Sequence, residues 1–347
     1  MQHTKYISVF IFLFSIFSKE VVAQSSPDVV YMQKITTELK HTSSASWNYV
    51  RASMQFKPEA EIDRLLNLVV LDVKAAYKNV SALGAYNGDA SLRDSVLSYL
   101  NNANKLMTEE FSRLREKRNV ANKSYADMVA LIAAEDAANT KLLKQFDFVK
   151  EEQKKFAAKN NIKLLDAKDN PSLKLFTALK VIKHYNQAYL IFFKCSKQED
   201  AWLAALDSNS VPLLTQTSAA LQKFATDGLA KLDTLTPYEH DTTLIHSARE
   251  ALKFFYYEAK EKAPGLNELL AAKVKFEKVK ANFNAIPEDK QTEQNIQAYN
   301  KAVDDYSTKV EQYNATTGEL NKKRATVLGA FDKSISLYLA RNTPSEK

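Results

Sequence analysis

An 18-residue stretch of this chain recurs 152 positions further on, and that recurrence limits what the chain can fold into. Leu83, Tyr86, Asp89, Leu92, Ser95 and Leu100 fall without a gap on Leu235, Tyr238, Asp241, Leu244, Ser247 and Leu252. The match starts in a turn-forming stretch, Gly84 to Asp89, and runs on into apolar residues spaced as on one face of a helix. A fixed offset held across a turn and the helix behind it predicts one supersecondary unit used twice. Two further landmarks follow the same plan. Trp47 precedes Pro58 by 11 residues, and Trp202 precedes Pro212 by 10.

The repeated unit is helical. The chain holds six glycines in 347 residues, far under the usual share of about 7%, and a β-rich fold would need many more for its turns. Its prolines stand where periodic apolar segments begin or end: Pro27, Pro58, Pro171, Pro212, Pro237, Pro264 and Pro287. Proline fits a helix's first turn and disrupts its interior, so these residues mark joints. Between them the apolar spacing predicts about eight helices. The first runs from Pro27 to about Met54. The second starts at Pro58 with Ile62, Leu65, Leu66, Val69, Val73, Tyr77 and Val80 as its apolar face. The third helix of the second half, beginning near Asp241, is predicted to break at Ala263-Pro264-Gly265 before resuming.

The polar stretch Asn160 to Pro171 reads as a connector between the halves. The expected fold class is therefore all-α: two tandem, similar helical bundles of about four helices each, over residues 24–165 and 166–347, with long coiled-coil-like helices. A single bundle sharing its core between the halves is the alternative. The last helix carries Tyr299, Tyr306, Tyr313, Leu320 and Val327 at intervals of seven, with Ile296, Val303 and Val310 between them. That is an a/d seam, weakened near its middle by Thr317, Gly318 and Arg324. Tyrosine is bulky for a dimeric zipper, so the seam is expected to pack on this chain's own helices.

Residues 1–23 read as a signal peptide. Lys5 precedes the apolar run Ile7 to Phe17, and Val21-Val22-Ala23 offers a cleavage site before Gln24. The run of about 11 residues is short of the roughly 20 that span a bilayer. No cysteine follows it, which excludes a bacterial lipid anchor. No transmembrane segment is expected after cleavage, and the chain is expected in the periplasm, on the outer surface or in the medium. The net charge of +7 is spread by alternating Lys with Glu or Asp, the pattern of solvated helix faces and not of a nucleic-acid patch. Nucleic acid is therefore not an expected partner.

Chemistry is thinly marked. The one cysteine, Cys195, cannot form an internal disulfide and reads as a small buried hydrophobe. His246 and Glu250 lie four apart on one helix face and are weak candidates for metal ligands. The chain has no zinc-protease motif, no Glu-x-x-His pair on two helices, no P-loop and no Gly-x-Ser-x-Gly. No cofactor and no catalytic residue are therefore expected. Phe254-Phe255-Tyr256-Tyr257 points apolar groups to every side of a helix. These four are either a centrally packed helix or a contact patch for a partner protein.

Tyr313-Asn314, Asn321, Phe331 and Tyr338-Leu339-Ala340-Arg341-Asn342-Thr343-Pro344, with the Ala23-Gln24 junction and the segment Gln153 to Asn161, resemble an uncharacterised family of exported or surface helical proteins of Gram-negative bacteria. The resemblance implies an envelope or secreted helical protein and carries over no enzymatic residue. The expected function is a non-catalytic binding or interaction protein of the cell envelope, its partner another envelope or extracellular protein. A periplasmic small-molecule or metal-binding protein is one alternative. A secreted enzyme or membrane-acting toxin is the other.

Overall fold

A computed structural model describes Ile7 and residues 26–164, 171–208 and 210–345. The predicted leader, Ile7 apart, and residues 165–170 of the predicted connector lie outside the described residues. Every regular element among the described residues is helical: α1 Pro27–Met54, α2 Glu59–Ser81, α3 Ser91–Lys105, α4 Phe111–Ala121, α5 Tyr125–Lys159, α6 Pro171–Asp207, α7 Val211–Thr234, α8 Thr243–Tyr257, α9 Ala263–Asn284 and α10 Glu293–Asn342. The chain is all-α, as its glycine scarcity and proline spacing predict. None of these helices is long and apolar enough to cross a membrane.

The helices gather into two compact units, Met1–Asn186 with Ser336–Lys347, and Gln187–Ile335. This division differs from the boundary read at residues 165/166. The first part of α6 and the last turns of α10 belong to the first unit, because apolar residues there pack with α1 and α5. Phe176 of α6 meets Phe146 of α5 edge-on at 5.7 Å, and Thr343, just past α10, reaches Met54. In the first unit α1, α2, α3 and α5 bury Ile35, Val50, Val69, Val73, Val96, Leu100, Leu131 and Leu142. In the second, Phe192 of α6 stacks on Phe331 of α10 at 4.0 Å and meets Phe255 of α8 at 5.9 Å. Trp202 is fully buried there and donates its indole N–H to Ser218 Oγ at 2.9 Å. Cys195 is buried in the same unit, and burial pushes its thiol up to about 12.

The 152-residue offset has a local structural counterpart in each unit. Tyr86 and Asp89 close a tight turn by paired backbone hydrogen bonds, and Tyr238 and Asp241 form the matching bridge, with the Asp241 amide donating to the Tyr238 carbonyl at 2.8 Å. Asp89 Oδ1 accepts the Ser91 amide at 3.0 Å, and Asp241 Oδ1 accepts the Thr243 amide at 2.8 Å, so each carboxylate tethers the turn to the start of its helix. The two central residues of each turn are left-handed: Asn87 and Gly88 in one, Glu239 and His240 in the other. Asn-Gly tolerates that geometry, whereas Glu and His carry a Cβ that crowds the next carbonyl. The helices that follow, α3 and α8, each end in one π-helical turn, Leu106–Glu110 and Glu258–Lys262.

That second π turn corrects the predicted break at Pro264. The helix does not stop; α9 resumes directly at Ala263 with proline in its first turn. The wide turn loosens the hydrogen-bond ladder where the proline ring would meet the carbonyl four residues back. The corresponding turn in the first unit, Leu106–Glu110, has no proline after it.

Candidate functional site

Two features of the second unit stand apart from ordinary core packing: a pair of helices that leaves its seam uncovered, and a charged cluster beneath it.

α9 and α10 run antiparallel from the turn around the 3₁₀ segment Glu288–Lys290. Their seam is aromatic. Phe276 stacks on Tyr306 at 4.9 Å with nearly parallel rings, and Phe283 stacks on Tyr299 at 4.6 Å. Lys309 of α10 reaches Glu268 of α9 at 2.8 Å. The tyrosine seam thus packs on this chain's own helix, in the pattern of an antiparallel pair. From residue 271 to residue 319, however, no side chain is buried, whereas Leu270 and Leu320 at either end of that stretch are. Two helices alone cover only one side of each seam residue, so the aromatic rings stay half in water. This stretch forms an arm. One of its faces is an open groove of about 680 Å³ with Phe276, Val279, Ala298, Ala302 and Tyr306 along it and Lys275, Lys301, Asp305 and Lys309 as its charged lining. Val274 and Ile296 are left 70% and 42% exposed on other sides of the arm.

The weak point of the predicted seam, Thr317 to Arg324, is where the arm ends. Tyr257 donates to Glu319 Oε1 at 2.9 Å, and Lys262 pairs with Glu319 Oε2 at 3.0 Å. One turn further on, Arg324 turns inward. Its Nε donates to Glu199 Oε1 of α6 at 2.5 Å, its Nη2 to Glu258 Oε1 in the π turn, and its Nη1 to Asn321 Oδ1 at 2.5 Å. Both carboxyls are buried, with side-chain exposures of 3% for Glu199 and 0% for Glu258. Glu258 Oε2 has no hydrogen-bond partner among the described residues. Burial first, and then the Glu199 charge, push Glu258 up to about 10, so it holds its proton at neutral pH. Burial also raises Glu199, while Arg324 acts against that rise. The cluster thus sets the Arg324 cation between two buried carboxyls, of which Glu258 keeps its proton at neutral pH.

Glu258 lies 152 positions after Leu106, a buried leucine at the start of the first unit's π turn. The sequence carried this signal: the offset sets a glutamate where the matching position is apolar. Motif and periodicity arguments missed Glu199, Glu258 and Arg324 because they come from three separate helices.

The residues that the sequence did single out are placed as follows. His246 and Glu250 lie on the exposed side of α8. Glu250 is paired with Lys253 at 2.8 Å, which holds its carboxyl below the usual range. Among the described residues no group of three His, Cys, Asp or Glu side chains is placed to hold a metal. Phe254 and Phe255 are buried, at 2% and 0% exposure, and belong to the core. Tyr256 and Tyr257 are half-exposed, and Lys323 lies 4.1 Å over the Tyr257 ring. A contact patch on α8 would therefore consist of the two tyrosines.

No protein family, curated protein or solved structure is significantly similar to this chain.

Proposed function

We propose that this chain is an exported, non-catalytic helical interaction protein that meets a partner protein outside the cytoplasm through the arm of α9 and α10. The observation that carries the reading is the run of residues 271–319, which has an aromatic seam and no buried side chain. A seam left half in water gains from a further helix laid along it, at roughly 25 cal/mol for each Å² of apolar surface covered. The leader at residues 1–23 supports export. The matched turns and π turns support a duplicated unit, the second copy having gained the arm and the charged cluster. The buried carboxyls of Glu199 and Glu258 are each held by Arg324, and Glu258 keeps one oxygen without a partner among the described residues.

The test is photo-crosslinking in cells that export the chain. A benzophenone amino acid at Ala298 or Ile296 is expected to give adducts with protein, and one at Leu71, an exposed apolar position of α2, is expected to give none. Adducts from Leu71 with none from the arm would overturn the reading. N-terminal sequencing of the exported form is expected to start at Gln24.

A further inference from the structure

We infer that the arm's partner is a second copy of this chain, the two grooves closing face to face into a four-helix bundle. The inference rests on the reading of the arm as the contact surface and adds the identity of what covers it.

Charge is the first argument. Residues 271–284 of α9 carry Lys273, Lys275, Lys278 and Lys280 against Glu277, a net +3; residues 293–319 of α10 carry five acidic and two basic side chains, a net −3. One arm is thus a basic helix beside an acidic one. When two such arms meet, packing α9 on α9 or α10 on α10 sets like charges together. Packing α9 on the other copy's α10 alternates the net sign of whole helices around the bundle, and on the groove face it brings Lys275 toward Asp305, with Lys301 on the same face and Lys309 held by Glu268.

Register is the second argument. Phe276 stacks on Tyr306 inside one arm, so their sequence neighbours Lys275 and Asp305 stand at one height along it, both lining the same groove. A two-fold axis along the arm therefore places Lys275 of each copy opposite Asp305 of the other. No ion pair is formed by either residue among the described residues, so both are free to pair across the axis. The contact is self-complementary, as an isologous interface has to be. Ala272, Ala298 and Ala302 keep the groove shallow enough for the second pair of helices to approach at the 8–10 Å spacing of packed helices.

α9 contributes about 20 Å of arm and α10 about 40 Å at 1.5 Å per residue, over a face two helices wide where they overlap. Such a face buries about 500 Å² per copy, or about 1,000 Å² in all, the lower end of specific interfaces. The dimer is expected to have a micromolar Kd.

The experiment is sedimentation equilibrium of the purified chain from 1 to 100 µM at 50 and 500 mM NaCl. It is run beside Ala298→Arg, which fills the groove from an exposed position, and beside Lys275→Asp, Asp305→Lys and their double swap. Circular dichroism checks that every variant keeps its helix content. The expected result is a dimer that salt loosens, a monomer for Ala298→Arg, five- to thirtyfold weaker association for each single charge variant, and recovery in the double swap. A chain that stays monomeric at 100 µM overturns the inference, whether or not the arm takes up a helix of another protein. Arm adducts in the photo-crosslinking would then still stand for the interaction reading. A dimer unaffected by Ala298→Arg overturns the inference as well, and it removes the arm from the contact.

Discussion

Replacing Arg324 by Met tests the charged cluster most directly. In the folded chain Arg324 donates to both buried carboxyls, Glu199 and Glu258, and acts against the rise that burial imposes on each. Without it Glu199 has to stay charged in an apolar site or take up a proton. At pH 7 the second route costs at most about 3.4 kcal/mol, since pH 7 lies 2.5 units above the ordinary value of 4.5 and each unit is about 1.36 kcal/mol. Lost charge-assisted hydrogen bonds add to this, which gives about 3–5 kcal/mol in all, the range for stripping one partner from a buried pair. The proton term falls with pH and is about 0.7 kcal/mol at pH 5. The loss of stability should therefore shrink as the solution is acidified.

The assay is urea unfolding followed by tryptophan fluorescence. The chain has two tryptophans, one in each compact unit. Trp47 Nε1 is buried with no hydrogen-bond partner among the described residues, so a Trp47→Phe background orphans no other group and leaves Trp202 to report the second unit alone. A loss under 1 kcal/mol at pH 7, or an equal loss at pH 5 and pH 7, would refute the reasoning. The triple change Glu199→Met, Glu258→Leu and Arg324→Met, which replaces the whole cluster by apolar groups, should be neutral or stabilising by about 1–4 kcal/mol.

Glu258→Gln should alter the alkaline side of the stability curve. Because Glu258 is raised in the folded state, the native chain keeps a proton that the unfolded chain releases above 4.5; this contribution is complete at acid pH and declines as pH climbs toward about 10, by up to about 1.4 kcal/mol per unit. The glutamine variant lacks that decline, and parallel curves for the two proteins from pH 6 to 9 would exclude the effect. Replacing Glu239-His240 by Asn-Gly, the pair found in the first unit's turn, should stabilise the second unit by about 1 kcal/mol, read as a rise of about 2–4 °C in Tm. No gain would mean that the left-handed pair is unstrained. Gly228→Ala would set a Cβ 2.4 Å from Leu252 Cδ2 in the core and should cost about 1–3 kcal/mol, a cost that Leu252→Ala in the same chain should partly relieve by making room.

Much of the fold was legible because it is locally coded. α1 spans Pro27–Met54 as read, since proline sets its start and the apolar spacing carries it to its end. α2 and α7 likewise begin beside Pro58 and Pro212. Pro264 was misread because proline only reports that a straight ladder cannot run through it, and a π turn satisfies that condition without a break. The seven-residue seam announced an apolar stripe on α10. It could not announce how many helices cover that stripe, which depends on neighbours distant in sequence. The same limit hid the cluster: Arg324 lies 125 positions from Glu199 and 66 from Glu258. Of the four aromatics at 254–257, burial took two, and only the completed packing distinguishes those from the other two.

The sole cysteine of the chain, sealed in the second unit with its thiol pushed up to about 12, has a practical consequence. A buried thiol with so little thiolate is slow toward maleimides and methanethiosulfonates. The native protein therefore offers spectroscopic labels almost no background. A cysteine placed at Ile296 would be the one reactive site per molecule, and a pair of spin labels there would act as a ruler between arms without any cysteine having to be removed first.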